Sequence, residues 1–124
     1  MAYEWAEPMT PLWTQVRAWV LETLTRAHIP QRMGLALAGA FTAAGLPVPE
    51  MRLECALGGG PDLPVSGWSN VVAGMVPVME QLKVASAGDV QPDTLAERML
   101  AELRAAQGIV IGPPLIAAWS RLPA

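Results

Sequence analysis

The chain has 124 residues, of which 52% are hydrophobic and only 15% are charged, and its formal net charge is −3. The length suits one domain with a real core. The eight scattered cations exclude an electrostatic surface for nucleic acid, and no apolar run reaches the roughly 18 residues needed to cross a bilayer. The apolar content has two interpretations: a core rich in Ala and Val, or a surface that binds a partner.

The beginning of the chain shows no periodicity. We therefore expect residues 1–10 to form an irregular arm and residues 11–124 to form the single domain, onto which Trp5 can pack. The arm carries acidic residues and no cation, which does not fit a secretory leader. The single cysteine, Cys55, excludes an internal disulfide framework. A cytoplasmic location is the resulting expectation.

A first helix is predicted from Pro11 to Ala27. Thr10 can cap it, and Pro11 suits the first helical position because the N–H group that proline lacks would have no partner there. Pro30 disfavours helical geometry in the residue before it, so His28 lies where the helix ends. The apolar positions recur at intervals of three and four and form one stripe: Leu12, Val16, Trp19, Val20, Leu24 and Ala27.

A second helix is predicted over residues 31–44, with Gly45 as its C-terminal cap. Its expected buried stripe is Met33, Leu37, Ala40, Phe41 and Ala44. The segment from Glu50 to Cys55 alternates polar and apolar residues, which is typical of a half-buried strand. Its inner face would carry Met51, Leu53 and Cys55.

The second half of the chain favours helices. Residues 58–62, Gly-Gly-Gly-Pro-Asp, read as a loop, and helices are predicted from Trp68 to Leu82 and from Asp93 to Gln107. The start of the last helix has two interpretations. Thr94 to Glu97 has the spacing of a capping box, whereas Pro92–Asp93 could serve as the first turn.

Residues 109–111 and 115–119 read as one last strand that Gly112-Pro113-Pro114 interrupts. Prolines are tolerated in a strand only at an edge or a bulge, so this strand has a defective edge. The predicted order is helix, helix, strand, helix, helix, strand. The fold class is therefore α+β, with about four helices packed on a short strand pair.

Two long segments carry a family resemblance. Residues 33–62 read MGLALAGAFTAAGLPVPEMRLECALGGGPD, and residues 93–121 read DTLAERMLAELRAAQGIVIGPPLIAAWSR. Together, and over roughly residues 11–122, the chain resembles the C-terminal part of a bacterial class I S-adenosylmethionine-dependent methyltransferase of the small-molecule type. The pieces AGLPVPEMRLE, GGGPD, DTLAER and GPPLI are specific because they occur in this order.

The resemblance implies a partial Rossmann-like fold. Residues 50–55 match the sixth strand of the family and residues 115–119 the seventh, which lies antiparallel beside the sixth. The first helix looks like a cap over the substrate side, and helices 68–82 and 93–107 look like an insertion between the last two strands. In the full fold the seventh strand also pairs with the fifth, which has no counterpart here, so one edge of the strand pair would be bare.

The donor-binding half of that family has no counterpart in this chain. S-adenosylmethionine needs a Gly-rich turn after the first strand and an acidic residue after the second, for the same reasons as in dinucleotide sites. Residues 58–60 are no substitute, because they follow the wrong strand and no helix starts after them. S-adenosylmethionine would bind only if a complementary half supplied the site, so whether the chain is an enzyme stays open.

The chemistry-bearing residues indicate no catalytic or metal site. Cys55 on the inner face of a strand is typically an inert small hydrophobe, and His28 at a helix end can stabilise the last carbonyl groups. One cysteine and one histidine cannot form a structural zinc site. Glu50 and Glu54 share a strand face with Arg52, which favours a charge-balanced solvent face over a carboxylate pair for catalysis.

The unusual number of large apolar side chains has two interpretations. Five residues could line a pocket for an apolar small molecule under the cap helix: Trp13, Trp19, Met33, Trp68 and Met75. Plain core packing is the alternative. In the family that the chain resembles, this side faces the substrate.

Two functions follow. The first is the C-terminal, substrate-side portion of a small-molecule methyltransferase, inactive alone. The second is a non-catalytic, homodimeric binding or assembly module derived from a methyltransferase, able to hold an apolar ligand. Both predict a partner at the bare strand edge, either a second copy or a complementary methyltransferase chain.

Overall fold

The structure, a computed structural model, describes residues 4–59 and 65–123. The end of the predicted Gly-rich loop, residues 60–62, lies outside the described residues, as do the first three residues of the arm. The elements in chain order are β1 (Ala6–Glu7), α1 (Pro11–Arg26), a 3-10 turn (Met33–Ala36), α2 (Leu37–Ala43), β2 (Glu50–Glu54), β3 (Leu57–Gly59), α3 (Ser66–Gln81), α4 (Ala87–Val90), α5 (Pro92–Ala105), β4 (Ile109–Ile111) and β5 (Leu115–Trp119).

The strands form two small antiparallel sheets. One has the order β1-β4-β3, and the other is the pair β2-β5. The predicted α+β class is confirmed. The resemblance implied an antiparallel pairing of residues 50–55 with residues 115–119, and the structure pairs residues 50–54 with residues 115–119 in antiparallel register.

Helices α1, α3 and α5 pack together and form the main core with the three-stranded sheet. We call these elements, together with α4, the core lobe. Its largest fully buried side chains come from all three helices: Trp13, Val16, Val72, Met79, Leu95, Met99 and Leu103. The indole N–H of Trp13 donates to the carbonyl oxygen of Met99 at 3.0 Å, which ties α1 to α5.

The N-terminal arm is part of this core. Trp5 is buried and stacks on Trp68 with ring centroids 3.6 Å apart, so its predicted packing is confirmed. The indole N–H of Trp68 donates to the carbonyl oxygen of Ile111 at 2.7 Å. The arm is not irregular throughout, because Ala6–Glu7 pairs with β4. Burial of Trp5 brings this short segment alongside the strand.

The first helix forms as predicted, but its cap is different. The hydroxyl of Thr10 makes no capping hydrogen bond. Instead the backbone N–H of Leu12 donates to Oε1 of Glu102 at 2.8 Å. A carboxylate is well suited to this position because the N-terminus of a helix carries partial positive charge. The cap of α1 therefore comes from α5, 90 residues away.

The structure shows which of the two interpretations of the start of the last helix is correct. Pro92 occupies the first helical turn and no capping box forms at Thr94, so the Pro92–Asp93 interpretation is confirmed. A capping box does form eight residues before Thr94, at Ser86 and Asp89 of the short helix α4, which the sequence reading did not predict.

The second helix is shorter than predicted and its stripe is not buried. It begins as a 3-10 turn at Met33 and becomes α-helical only at Leu37. Neither piece contains a buried residue. An apolar stripe is buried only where another layer of the protein covers it. The 3-10 turn lies close to strand β5, since a Cβ atom on Gly34 would lie 2.8 Å from Cδ1 of Ile116, but this one strand does not cover the stripe.

Three further sequence predictions are wrong. The expected inner face of β2 is exposed, because little packs over Met51 and Leu53. Residues 109–111 and 115–119 are two strands in different sheets rather than one interrupted strand. Gly58 and Gly59 belong to β3 instead of a loop. A Cβ atom on Gly59 would lie 2.9 Å from Cγ2 of Ile109, so the glycine allows β3 to approach β4.

Candidate functional site

The strand pair β2-β5 stands apart from the core lobe. Together with the 3-10 turn and α2 it forms what we call the exposed lobe, residues 33–54 and 115–119. The buried hydrophobic residues of the core cluster all come from outside these ranges. In globular proteins a two-stranded sheet is marginally stable unless something packs on it. The exposed lobe is therefore the part of the described chain that has most to gain from a partner.

The register sorts the side chains of the pair onto two faces. Leu53 lies opposite Ile116, and Met51 lies opposite Ala118, on the face toward the 3-10 turn. The outer face carries the remaining positions, in which Glu50, Arg52 and Glu54 of β2 lie opposite Trp119, Ala117 and Leu115 of β5. Charged residues thus occupy one half of the outer face and apolar residues the other half.

The apolar half of the outer face is accessible to solvent. Leu115 is 68% exposed and Trp119 is 45% exposed. The face toward the 3-10 turn is also incompletely covered, since Leu53 remains 52% exposed. Clustered exposed apolar residues on a soluble protein mark contact sites more often than scattered ones do.

The two edges of the pair differ in charge. Strand β2 carries three charged residues, and Arg52 forms an exposed ion pair with Glu54 at 3.2 Å. The predicted charge-balanced solvent face is thereby confirmed. Strand β5 carries no charged residue, and within the described residues it pairs only with β2. Natural proteins protect sheet edges with charges, so β2 is a protected edge and β5 is an unprotected one.

The five residues predicted to line a pocket lie in different environments. Trp13 and Trp68 are buried in the core, and Trp19 and Met75 are partly buried against it. Met33 is 53% exposed on the 3-10 turn and lies outside that cluster. The structure thus places the two tryptophans Trp13 and Trp68 in one packed core, with Trp19 and Met75 against it. Met33 does not lie with them. For Trp13 and Trp68, the core-packing alternative describes their surroundings, and the apolar-ligand interpretation stays a prediction.

Cys55 is not on an inner face, because the structure exposes it at the end of β2. Its Sγ lies 3.4 Å from the carbonyl oxygen of Gly112. Beside it is an apolar hollow of about 150 Å³ that Leu53, Ile111 and Pro114 also line. This is smaller than the roughly 300–1,000 Å³ of a typical small-molecule site.

His28 is exposed and follows α1 in a left-handed conformation with φ of 56°. Its backbone N–H donates to the carbonyl oxygen of Thr25 at 3.2 Å, so the backbone itself helps to end the helix. The predicted contact of its imidazole with the helix end stays a prediction.

One perturbed titratable group lies outside the exposed lobe. The backbone N–H and the hydroxyl of Ser86 lower the pKa of the Asp89 carboxyl, the backbone contact having the larger effect. This is the capping box of α4. Among the described residues, no group of three His, Cys, Asp or Glu side chains is placed to hold a metal ion.

Sequence reasoning anticipated a bare strand edge but missed the exposure around it. The signal that could have found the unprotected strand is the uncharged run Leu115–Trp119, which ends before Arg121. No helix in the described part of the chain is long and apolar enough to cross a membrane. No family model, no curated protein and no solved structure matches the chain.

Proposed function

We propose that this chain is a non-catalytic assembly module that associates with another polypeptide through its exposed lobe. The observation that carries this proposal is the strand pair β2-β5, in which the uncharged strand β5 pairs with no other strand of the described residues and has exposed apolar side chains beside it. Strand addition to a sheet edge is a common mode of peptide recognition, in which main-chain hydrogen bonds supply affinity and side chains supply specificity.

The energetics favour association. Full burial of a large apolar side chain stabilises by about 1.5–3 kcal/mol. Leu115 still exposes most of its surface, and Trp119 exposes nearly half of its own. The open edge of β5 also carries backbone N–H and C=O groups that a neighbouring strand would pair. The exposed lobe thus has both apolar surface and backbone groups for a partner to cover.

A second candidate function rests on the family resemblance. In it, the chain is the substrate-side portion of a small-molecule methyltransferase, inactive until a complementary polypeptide supplies the donor site. The antiparallel pairing of β2 with β5 supports this candidate, since the last two strands of that family pair in the same way. The described residues do not fit the donor themselves, because Gly58 and Gly59 lie in a strand packed on β4.

Amide hydrogen exchange tests the assembly proposal for the case in which the other polypeptide is a second copy of this chain. Exchange is measured at micromolar and near-millimolar protein, with α1 as the internal reference. We expect the amides of residues 115–119 to become protected as the concentration rises, while those of α1 stay equally protected throughout. Equal exchange of residues 115–119 at both concentrations would contradict self-association of the exposed lobe.

Calorimetric titration with S-adenosylmethionine separates the two candidates. The assembly module predicts no binding to the chain in any state of association. Micromolar binding to the chain alone would contradict the assembly module. A methyltransferase portion predicts binding only after a donor-binding polypeptide has been added.

A further inference from the structure

We propose that a hollow beside the start of β5 binds a small apolar carboxylate, such as the anion of a medium-chain fatty acid. This inference concerns a small molecule and does not rest on the proposed assembly function. The hollow has a volume of about 290 Å³, close to the lower end of the range for small-molecule sites, which is about 300 Å³. It lies between the 3-10 turn and the residues that begin β5, and its lining includes Arg32, Leu35, Pro114, Leu115 and Ile116.

The hollow carries a positive charge that no described residue balances. The guanidinium of Arg32 makes no hydrogen bond and no ion pair with a described residue, and none of the described residues that line the hollow is acidic. In contrast, Arg26 and Arg52 each pair with a carboxylate of their own helix or strand. A guanidinium can donate two parallel hydrogen bonds to a carboxylate. We therefore assign the anionic end of the ligand to Arg32.

The remaining wall of the hollow offers apolar surface. Leu35 is 46% exposed and Leu115 is 68% exposed, so a hydrocarbon group placed against them would remove apolar area from water. One polar group that orients a ligand and apolar side chains that cover the rest are the usual features of a small-molecule site. A space of this volume holds about ten water-sized groups, as many as the non-hydrogen atoms of octanoate.

A second hollow allows a longer hydrocarbon chain to continue. The hollow of about 150 Å³ beside Cys55 shares Pro114 with the first one. It is also lined by Leu53, which lies opposite Ile116 in the strand pair. Its described lining contains no charged residue. A chain whose carboxylate is held at Arg32 would therefore pass Pro114 and reach Cys55.

The charge of the hollow favours a carboxylate over a phosphate ester. A phosphate monoester carries a charge of about −1.5 to −2 at neutral pH, whereas Arg32 is the one cation among the described residues of the lining. The hollow of about 410 Å³ at the other end of β5 does not select an anion in this way, because both Glu50 and Arg121 line it. That second site supplies a matched control for the charge.

An NMR titration of the full-length chain with octanoate tests the site. It is run at a protein concentration at which sedimentation gives the mass of the single chain, so the result does not depend on assembly. For a ligand of about ten non-hydrogen atoms we expect a dissociation constant of about 1–10 mM or lower. The amide signals of residues 32–35, 115 and 116 should shift along one binding curve.

Arg32→Gln tests the anionic end of the ligand. Arg32 is exposed, so the substitution should leave the fold intact, as circular dichroism checks. We expect the dissociation constant for octanoate to rise about tenfold or more, because a hydrogen bond to a charged group is lost. Arg121→Gln removes the same charge at the other end of β5 and should leave the constant unchanged. Octanamide, which is neutral, should bind the unmodified chain about as weakly as octanoate binds Arg32→Gln.

The thiol of Cys55 reports where a longer chain lies. Cys55 is exposed, so iodoacetamide can alkylate it, and the rate is measured with and without ligand. We expect decanoate to slow alkylation along its own binding curve and acetate to have no effect. Each added CH₂ group that becomes buried should also tighten binding by up to about fourfold.

The results separate the parts of the proposal. No shift at an octanoate concentration about tenfold above the expected dissociation constant would overturn the site. It would leave the assembly proposal standing, which hydrogen exchange tests separately. Equal binding of octanoate to Arg32→Gln would overturn the assignment of the carboxylate. Saturation with decanoate at an unchanged rate of Cys55 alkylation would overturn the path of the hydrocarbon chain past Pro114.

Discussion

Replacement of Trp5 by alanine tests whether the N-terminal arm belongs to the core. Trp5 is only 6% exposed and stacks on Trp68 with an interplanar angle of 6°. Truncation of a buried tryptophan to alanine destabilises by about 3–5 kcal/mol, and stacking contributes about 0.5–1.5 kcal/mol of such a loss. Because a domain of this size is stable by about 5–15 kcal/mol, Trp5→Ala should remove a large part of the total.

Urea unfolding followed by circular dichroism measures this loss, with Trp119→Ala as the matched control. Trp119 is the same residue type but is 45% exposed at the edge of the exposed lobe. At a concentration at which sedimentation gives the mass of the single chain, its truncation should cost less than about 1.5 kcal/mol, half of the full burial value. If Trp5→Ala cost no more than Trp119→Ala, the arm would not be part of the core and the described division into two lobes would be wrong.

Three further variants probe single contacts in the core lobe and in α4. Glu102→Ala removes the acceptor of the Leu12 N–H and should lower the free energy of unfolding by about 1 kcal/mol, as measured in urea. Gly108→Ala places a Cβ atom 2.8 Å from the carbonyl oxygen of Glu7 and should cost about 1–3 kcal/mol in the same assay. Asp89, whose pKa is lowered in the folded state mainly by the Ser86 backbone N–H, contributes stability above its unfolded pKa. That contribution is lost as the pH falls through the folded pKa, so Asp89→Asn should flatten the acid side of the stability–pH curve.

Two of these variants, Glu102→Ala and Gly108→Ala, have a matched control. Glu97→Ala removes an exposed carboxylate from the same helix as Glu102 and should change stability by less than about 0.5 kcal/mol. Gly39→Ala adds a Cβ atom in open space within α2 and should stabilise by about 0.5–1 kcal/mol. Equal losses for a variant and its control would contradict the contact assigned to the variant.

The helices were the most predictable part of the fold, because their signals are local. The stripe of α1, the proline in its first turn and the end before His28 all lie within one segment, and the helix forms from Pro11 to Arg26. Its cap could not be predicted in the same way. The carboxylate of Glu102 reaches it from α5, and only the folded chain brings the two helices together.

Burial was less predictable than secondary structure. The stripe of the second helix resembles that of the first, yet Met33 is 53% exposed because little covers the exposed lobe. The same limit applies to the predicted pocket, since spacing alone does not distinguish a tryptophan that lines a cavity from one that fills a core. Pro113 and Pro114 correctly predicted an interruption between residues 109–111 and 115–119. They did not indicate that the strands on either side belong to different sheets.

The mass of the unmodified chain in solution tests the central claim most directly. Sedimentation equilibrium over a wide range of concentration should give a reversible transition from 13.2 kDa to twice that mass, with no larger species. A mass that stays at that of the single chain up to the highest soluble concentration would contradict self-association through the exposed lobe.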